Sequence, residues 1–455
     1  MIKLLRFLPI LLILAVILAG CENDLLRQKR IVLEQAHRLN LVRQQSYLLK
    51  WFLMRDGRAY QTGQIYAGFD SLLRPQQLLP LQNLLEANLS APDRRDLEGV
   101  RRTFLRELNA AARAAWQDSL AALLGPDGPV RLAPTLQTLL REQDRQEVMP
   151  LEKLAAFQDS LRRQLNKSAG ELGYASLLDW VCDYQNFQRD STLLLAEQFL
   201  QEDSQLASLL KRLPGKGGWQ GWMTLRAQMD RQFGDRPAYP RAQSLLSDLG
   251  ILIERQSALQ ISAELTLPPP APLALPISPP GDIRLAVSNR EGYEQPALLL
   301  GELAKAQTGL LAAPNAASEA TPGLVEGLAV LLSELDASAT GNADFKLLFD
   351  VENHLTARFA AWLVFQETDQ PEDRTAYGPA VIFPFPVPEA FAKRLETRRP
   401  GLDWAVRTLW GEFQARRLRG ILEATFGENW YRDKAAGRHL KRWWSEGRAS
   451  STKTD

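Results

Sequence analysis

The stretch Pro280–Leu335 reads PGDIRLAVSNREGYEQPALLLGELAKAQTGLLAAPNAASEATPGLVEGLAVLLSEL, and its apolar spacing changes period part-way. Asp282 to Ser288 alternates, with Ile283, Leu285 and Val287 on one side, the pattern of a half-buried strand. From Glu294 the period becomes helical, and Leu299, Leu300, Leu303, Ala306, Leu310 and Leu311 fall on one face. A second helix is expected to open at Thr321-Pro322, a hydroxyl cap with proline in the first turn. It turns Leu324, Val325, Leu328, Leu331, Leu332 and Leu335 inward.

On each side of this unit the pattern is helical. Leu25–Arg55 places Leu33, His37, Leu41, Tyr47, Leu48 and Phe52 at helical spacing, and Asp56-Gly57 breaks it. A long helix follows Ala91-Pro92-Asp93 and stops at the Gly/Pro run Gly125–Pro129. Glu152–Leu165, Leu193–Leu213, Leu245–Gln260, Phe345–Phe365 and Leu402–Phe426 read the same way. Seven prolines lie between Pro268 and Pro280, so that segment is extended and cannot be a central strand. The fold class is mainly α: a large multi-helix body around a cleft, with a small β edge near 261–288.

The order strand, helix, helix resembles the active-site core of the gluzincin zinc metallopeptidases, in particular the oligoendopeptidase and thimet-oligopeptidase family. Those enzymes carry His-Glu-x-x-His on the first helix, where two imidazoles one turn apart hold the metal and the glutamate polarises its water. A glutamate on the next helix is the third ligand. On this chain the motif falls on Gly301-Glu302-Leu303-Ala304-Lys305, and Glu326 takes the third position. Gly301 offers no ligand, and the Lys305 ammonium has no free lone pair and repels a cation. The resemblance therefore implies a degenerate scaffold without metal or cofactor. Read alone, Glu302 with Lys305 three residues on is equally an ordinary surface pair. Asn166–Trp180 resembles the segment leading into the catalytic half of oligoendopeptidases, and a helix–turn–helix jointed at Gly170 and Gly173 explains it as well. The tail from Phe426 to Gly447 resembles the family ending, making Tyr431 and His439 candidates for steadying a tetrahedral intermediate.

Met1–Cys21 has Lys3 and Arg6 ahead of an apolar run from Phe7 to Ala19 that ends Leu18-Ala19-Gly20-Cys21. The run is short for a membrane span and resembles a bacterial lipoprotein signal, with lipid attached at Cys21. The expectation is a signal peptide over 1–20 and one α-helical body over 21–455, divided into an N-terminal half (21–165) and a catalytic-like half (166–455). Location follows: the cell envelope, lipid-anchored on the periplasmic face, with Glu22 pointing to the outer membrane.

Of 455 residues, 45% are hydrophobic and 24% charged, enough for a sizeable core. Net charge is +1, which gives no electrostatic case for nucleic acid. Cys182, flanked by Leu178, Trp180 and Val181, reads as a buried structural thiol. The three histidines, His37, His354 and His439, are far apart and assemble no triad. Pro214–Gly218 lacks the Gly-Lys-Ser/Thr ending of a phosphate loop. Three functions remain: a non-catalytic peptidase homologue binding peptides or envelope proteins, a peptidase using Glu302 as base at an unconventional metal site, and a helical envelope scaffold.

Overall fold

The computed structural model describes residues 8–57, 62–87, 89–124, 140, 151–215, 217–269, 271–288, 290–311, 322–367, 381–397 and 399–446. The expected cap at Thr321 and the breaker at 125–129 lie outside them, and so does most of the loop before Pro388. The body is largely helical, with one small sheet.

Helix α1 (Leu8–Asp56) passes through Cys21 without a break, so it starts far earlier than Leu25. Its end is as expected: Gly57 takes φ +67° and donates its N–H to the Leu53 carbonyl. The inward face differs from the sequence expectation. Val32, Leu39, Val42, Trp51 and Met54 are buried, whereas Leu33 and Leu41 are exposed and His37 lies on the outside. At Val32-Leu33 and Leu41-Val42 the valine rather than the neighbouring leucine faces inward, because two adjacent apolar residues give nearly equal registers, while Tyr47, Leu48 and Phe52 are part-buried against the core as expected. Among the described residues, no helix is long and apolar enough to cross a membrane.

Short helices α2 (Thr62–Gly68) and α3 (Leu79–Glu86) lead to α4 (Ala91–Leu124), all three packed on α1. Helix α5 (Leu151–Glu171) continues past Leu165 through Gly170. It ends where Gly173 adopts φ +86° and Tyr174 donates to Ala169, so there is one joint and it is at Gly173. Next come α6 (Leu177–Tyr184), α7 (Arg189–Gln201) and α8 (Asp203–Leu210); the last two replace the single helix expected over Leu193–Leu213. Helix α9 (Gly218–Phe233) precedes α10 (Ala238–Asp248).

Helix α10 corrects the expectation over Leu245–Gln260. The chain leaves the helix at Gly250, whose φ of +72° lets Ile251 donate back to the Leu246 carbonyl, a Schellman stop. Gln260 then lies in β1 (Leu259–Ser262). Strand β2 (Leu273–Ser278) is drawn from the proline-rich segment and takes an edge, and β3 (Asp282–Ala286) is central, in the order β1-β3-β2. β1 is parallel to β3, pairing Leu259 with Ile283, and β2 is antiparallel to it, pairing Ala274 with Leu285. Pro276 is tolerated there because an edge strand needs only one side of its hydrogen-bonding groups.

Helices α11 (Gln295–Leu311) and α12 (Pro322–Thr340) follow the sheet, then α13 (Ala343–Gln366), α14 (Glu389–Thr397), α15 (Leu402–Phe426) and α16 (Lys434–Glu446). Leu299, Leu300, Leu303 and Ala306 of α11 are buried with Leu324, Leu328, Leu331, Leu332 and Leu335 of α12. The most extensive helix packing in the molecule is α12 on α15. It depends on glycine: a Cβ at Gly327 would stand 2.6 Å from the Gln414 Cβ, and one at Gly411 would stand 2.7 Å from the Glu326 Cβ. Trp443 and Trp444 of α16 are fully buried, so the terminal indoles are core residues rather than a surface for polymer or membrane.

Candidate functional site

Helices α11 and α12 meet along one polar stripe. Lys305 projects from α11 one turn after Glu302, and Glu326 comes from the second turn of α12. The Lys305 Nζ lies 3.0 Å from Glu302 Oε1 and 3.0 Å from Glu326 Oε2. The structure therefore brings these three side chains together, with the amine between the two acids. Glu302 is held from the other side as well, because its Oε2 accepts the Ala274 backbone N–H of β2 at 2.8 Å.

The charges continue. Arg407 Nη1 on α15 is 3.6 Å from Glu326 Oε1, its Nη2 is 3.2 Å from Asp403 Oδ2, and Arg113 Nη1 on α4 is 2.9 Å from Asp403 Oδ1. Acid and base alternate along Glu302, Lys305, Glu326, Arg407, Asp403 and Arg113, which ties four helices and the sheet edge together. Asp403 and Arg407 stand four apart on one helix, an ordinary local pair in sequence. Their link to Glu326 and Arg113 arises only from packing, and sequence reasoning missed both.

The balance of burial and charge is legible in the titration. Burial alone would lower the Lys305 ammonium, but Glu302 and then Glu326 outweigh it and raise it above the ordinary lysine value. Burial pushes Glu326 up, and Lys305 and Arg407 more than reverse that, leaving its carboxyl below the usual range. The same contest, won by Arg113 and Arg407, lowers Asp403. Three acids, Glu302, Glu326 and Asp403, thus face three bases, Lys305, Arg407 and Arg113.

Gly301 sits one turn before Lys305 on the same face. A methyl group at 301 would be 3.4 Å from the Ala329 carbonyl oxygen of α12. That is ordinary van der Waals contact, so the packing alone does not require glycine there. These residues do not fit a zinc ion. Position 301 supplies no donor, position 305 supplies a cation, and both oxygens of each remaining carboxylate are already engaged. Among the described residues, no three His, Cys, Asp or Glu side chains are grouped to hold a metal.

The C-terminal candidates lie elsewhere. Tyr431 Oη lies 2.9 Å from Asn429 Oδ1 and 3.4 Å from the Ser338 carbonyl oxygen, to one of which it donates, and the His439 ring packs against Phe426 and Trp443. Neither makes a hydrogen bond to Glu302, Lys305 or Glu326. Cys182 is buried, its Sγ 3.6 Å from Thr192 Oγ1, and burial pushes the thiol up to about 11. The Cys21 side chain lies outside what the structure describes.

No family model matches the chain, and no curated protein matches it in sequence. Solved structures do match in shape. The M32 carboxypeptidase from Deinococcus radiodurans R1 superposes with a TM-score of 0.60 at 11% identity, over 94% of each chain. Trypanosoma cruzi metallocarboxypeptidase 1 gives 0.56 at 10% identity over 94% of each, and the Pyrococcus furiosus carboxypeptidase gives 0.56 at 11% over 91% of this chain and 90% of that one. These are carboxypeptidases rather than oligoendopeptidases, and at 10–11% identity the likeness is one of fold. Over 94% of its length, this chain has the fold of the M32 carboxypeptidase from Deinococcus radiodurans R1.

Proposed function

We propose that this protein is a non-hydrolysing relative of the metallopeptidases that binds peptides or envelope proteins through its cleft, tethered to the membrane by lipid on Cys21. One observation carries the reading: a lysine amine stands 3.0 Å from each of two carboxylates on two adjacent helices, which are the helices on which the sequence resemblance lays the metal motif. Gly301 and Lys305 then occupy the two histidine positions, and Glu326 the third-ligand position. An ammonium in that place keeps the positive charge the acids require, and so keeps the helices together. It offers no open coordination position to polarise a carbonyl or acidify water. Glu302, engaged by Lys305 and by the Ala274 N–H, is not free to act as a base.

The test pairs metal analysis with a peptide assay on the purified mature protein. The expected result is no stoichiometric zinc, no chelator-sensitive cleavage, and saturable binding to members of a peptide library. Gly301→Trp, which wedges α11 from α12 beside the cleft, is expected to weaken that binding at least tenfold. Stoichiometric zinc with chelator-sensitive hydrolysis overturns the reading in favour of a peptidase. Absence of peptide binding in a folded protein leaves a helical scaffold. The tether is tested separately, by mass spectrometry of the N-terminal peptide. A diacylglycerol adduct on Cys21, lost in Cys21→Ser, supports it, and an unmodified N-terminus removes it.

A further inference from the structure

The three-stranded sheet has a free edge along β2, and the pairing shows which backbone groups lie on it. Ile283 of β3 and Val287 just beyond it donate to the Ala258 and Ser262 carbonyls on the β1 side. Backbone groups alternate sides along a strand, so Arg284 and Ala286 turn theirs toward β2. Arg284 is paired with Leu275 and Ala286 with Leu273. Leu273 and Leu275 therefore bond into the sheet, and Ala274 and Pro276 turn their backbone groups outward. Proline has no N–H. Pro272 stands just ahead of the strand and Pro276 is the next outward position after Ala274. Among the described residues 272–276, this edge thus offers one backbone donor, the Ala274 N–H. That donor is taken: Glu302 Oε2 accepts it at 2.8 Å, while the Lys305 amine holds Glu302 Oε1 at 3.0 Å. Further along, the register shifts between Pro276 and Ser278, which interrupts regular pairing. Leu273, Ala274 and Pro276 are half-buried, so solvent reaches all three.

We propose that Glu302 is a plug on this edge, holding the one donor that an added strand would need, so that the cleft reads an extended peptide through its side chains and not by backbone pairing. A strand that adds to a sheet exchanges N–H and C=O bonds with alternate residues of the edge. Here the prolines supply no N–H, and a neutral peptide carbonyl would have to displace a carboxylate from the third position. Hydrogen bonds to charged groups are the stronger kind. The carboxylate is also fixed from behind by Lys305, so it does not swing clear without breaking an ion pair. Prolines, bulges and inward-turned charges on an edge strand resist pairing for the same reason. The consequence for ligands rests on the proposed peptide binding, and the plug itself does not.

The plug is tested without a ligand, by hydrogen exchange resolved to single amides in wild type, Glu302→Ala and Glu302→Gln. The wild-type Ala274 amide is expected to be protected by about tenfold or more, although solvent reaches the residue. Glu302→Ala should lose that protection while Leu275, bonded to β3, keeps its own. Glu302→Gln retains an acceptor oxygen and should keep most of it. Unprotected exchange at Ala274 in the wild type overturns the proposal, whether or not the variants fold. Equal loss at Ala274 and Leu275 in Glu302→Ala also overturns it, because the whole strand would then have loosened. The mode of recognition is tested on a peptide found in the library assay, by methylating its backbone nitrogens one at a time. Affinity is expected to change by less than about threefold at each position, whereas loss of a backbone hydrogen bond would cost about tenfold. Losses of that size at alternate positions show strand addition and refute the proposal. A library that yields no binder removes the proposed function, and the exchange result still decides the plug.

Discussion

Lys305 stands between two carboxylates that would otherwise face each other. Replacing it by Met keeps the stem and removes the charge, leaving Glu302 and Glu326 to repel across a half-buried gap. Loss of one partner from a buried pair costs several kcal/mol, and partial exposure screens some of it, so about 1–3 kcal/mol is expected from urea unfolding. The pH dependence follows from the shifts. Glu326, lowered in the folded state, contributes stability above its unfolded value and loses it as pH falls through the folded one. Lys305, raised in the folded state, contributes fully below its unfolded value and loses it as pH rises through the folded one. The gap between wild type and Lys305→Met should be level from about pH 5 to 10 and should narrow as pH falls from the ordinary glutamate value through the lowered Glu326 value. A gap that persists at pH 3 would show that the loss is packing, not charge. The spacing Glu302-x-x-Lys305 was legible in the sequence, as was Glu326 in its helix. Arg407, Asp403 and Arg113 were not, because ion pairs between distant helices leave no local spacing to read.

Glycines decide how closely the elements approach. Gly301→Ala adds a methyl at van der Waals distance from Ala329 and removes a helix-interior glycine, which is worth up to about 1 kcal/mol. Gly411→Ala gains the same propensity, but its methyl would lie 2.7 Å from the Glu326 Cβ. Overpacking costs about 1–3 kcal/mol, so the net loss should be about 1–2 kcal/mol. Thermal unfolding is expected to rank the proteins Gly301→Ala at or above wild type, and Gly411→Ala below it. The reverse order would refute the close α12–α15 crossing. The helices themselves were readable from apolar period, and their ends from glycine only in part. Gly57 was recognised as a stop, whereas Gly250 was passed over because apolar residues continue on both sides of it. The proline-rich segment was read as extended, and that reading fits an edge strand. On α1 the exchange of Leu33 for Val32 and of Leu41 for Val42 reflects adjacent apolar residues that make two faces look alike.

At the scale of the molecule, the last helix closes the core built on α10, α11, α12 and α15. Trp444 is fully buried among residues of α10 to α12, and Lys441 donates to the Gly250 carbonyl at the end of α10. Trp444→Ala should cost about 3–5 kcal/mol, measured by denaturant midpoint, and a loss under 1 kcal/mol would contradict this placement. The mainly α architecture was accessible from sequence because helical period repeats along nearly the whole chain. Membership of a metallopeptidase-type fold was accessible only through the order of strand and two helices, since the residues that usually announce it are absent.

On the proposed function Lys305 occupies the place of a metal, so restoring the two imidazoles should restore metal binding. Gly301→His with Lys305→His puts two imidazoles one turn apart on α11, facing Glu326, in the space that the lysine vacates. The measurement is zinc titration by calorimetry on the folded double variant, with wild type alongside. The account predicts one zinc per chain in the variant, lost when Glu326→Gln is added, and none in wild type. A variant with wild-type circular dichroism that takes up no zinc would contradict it.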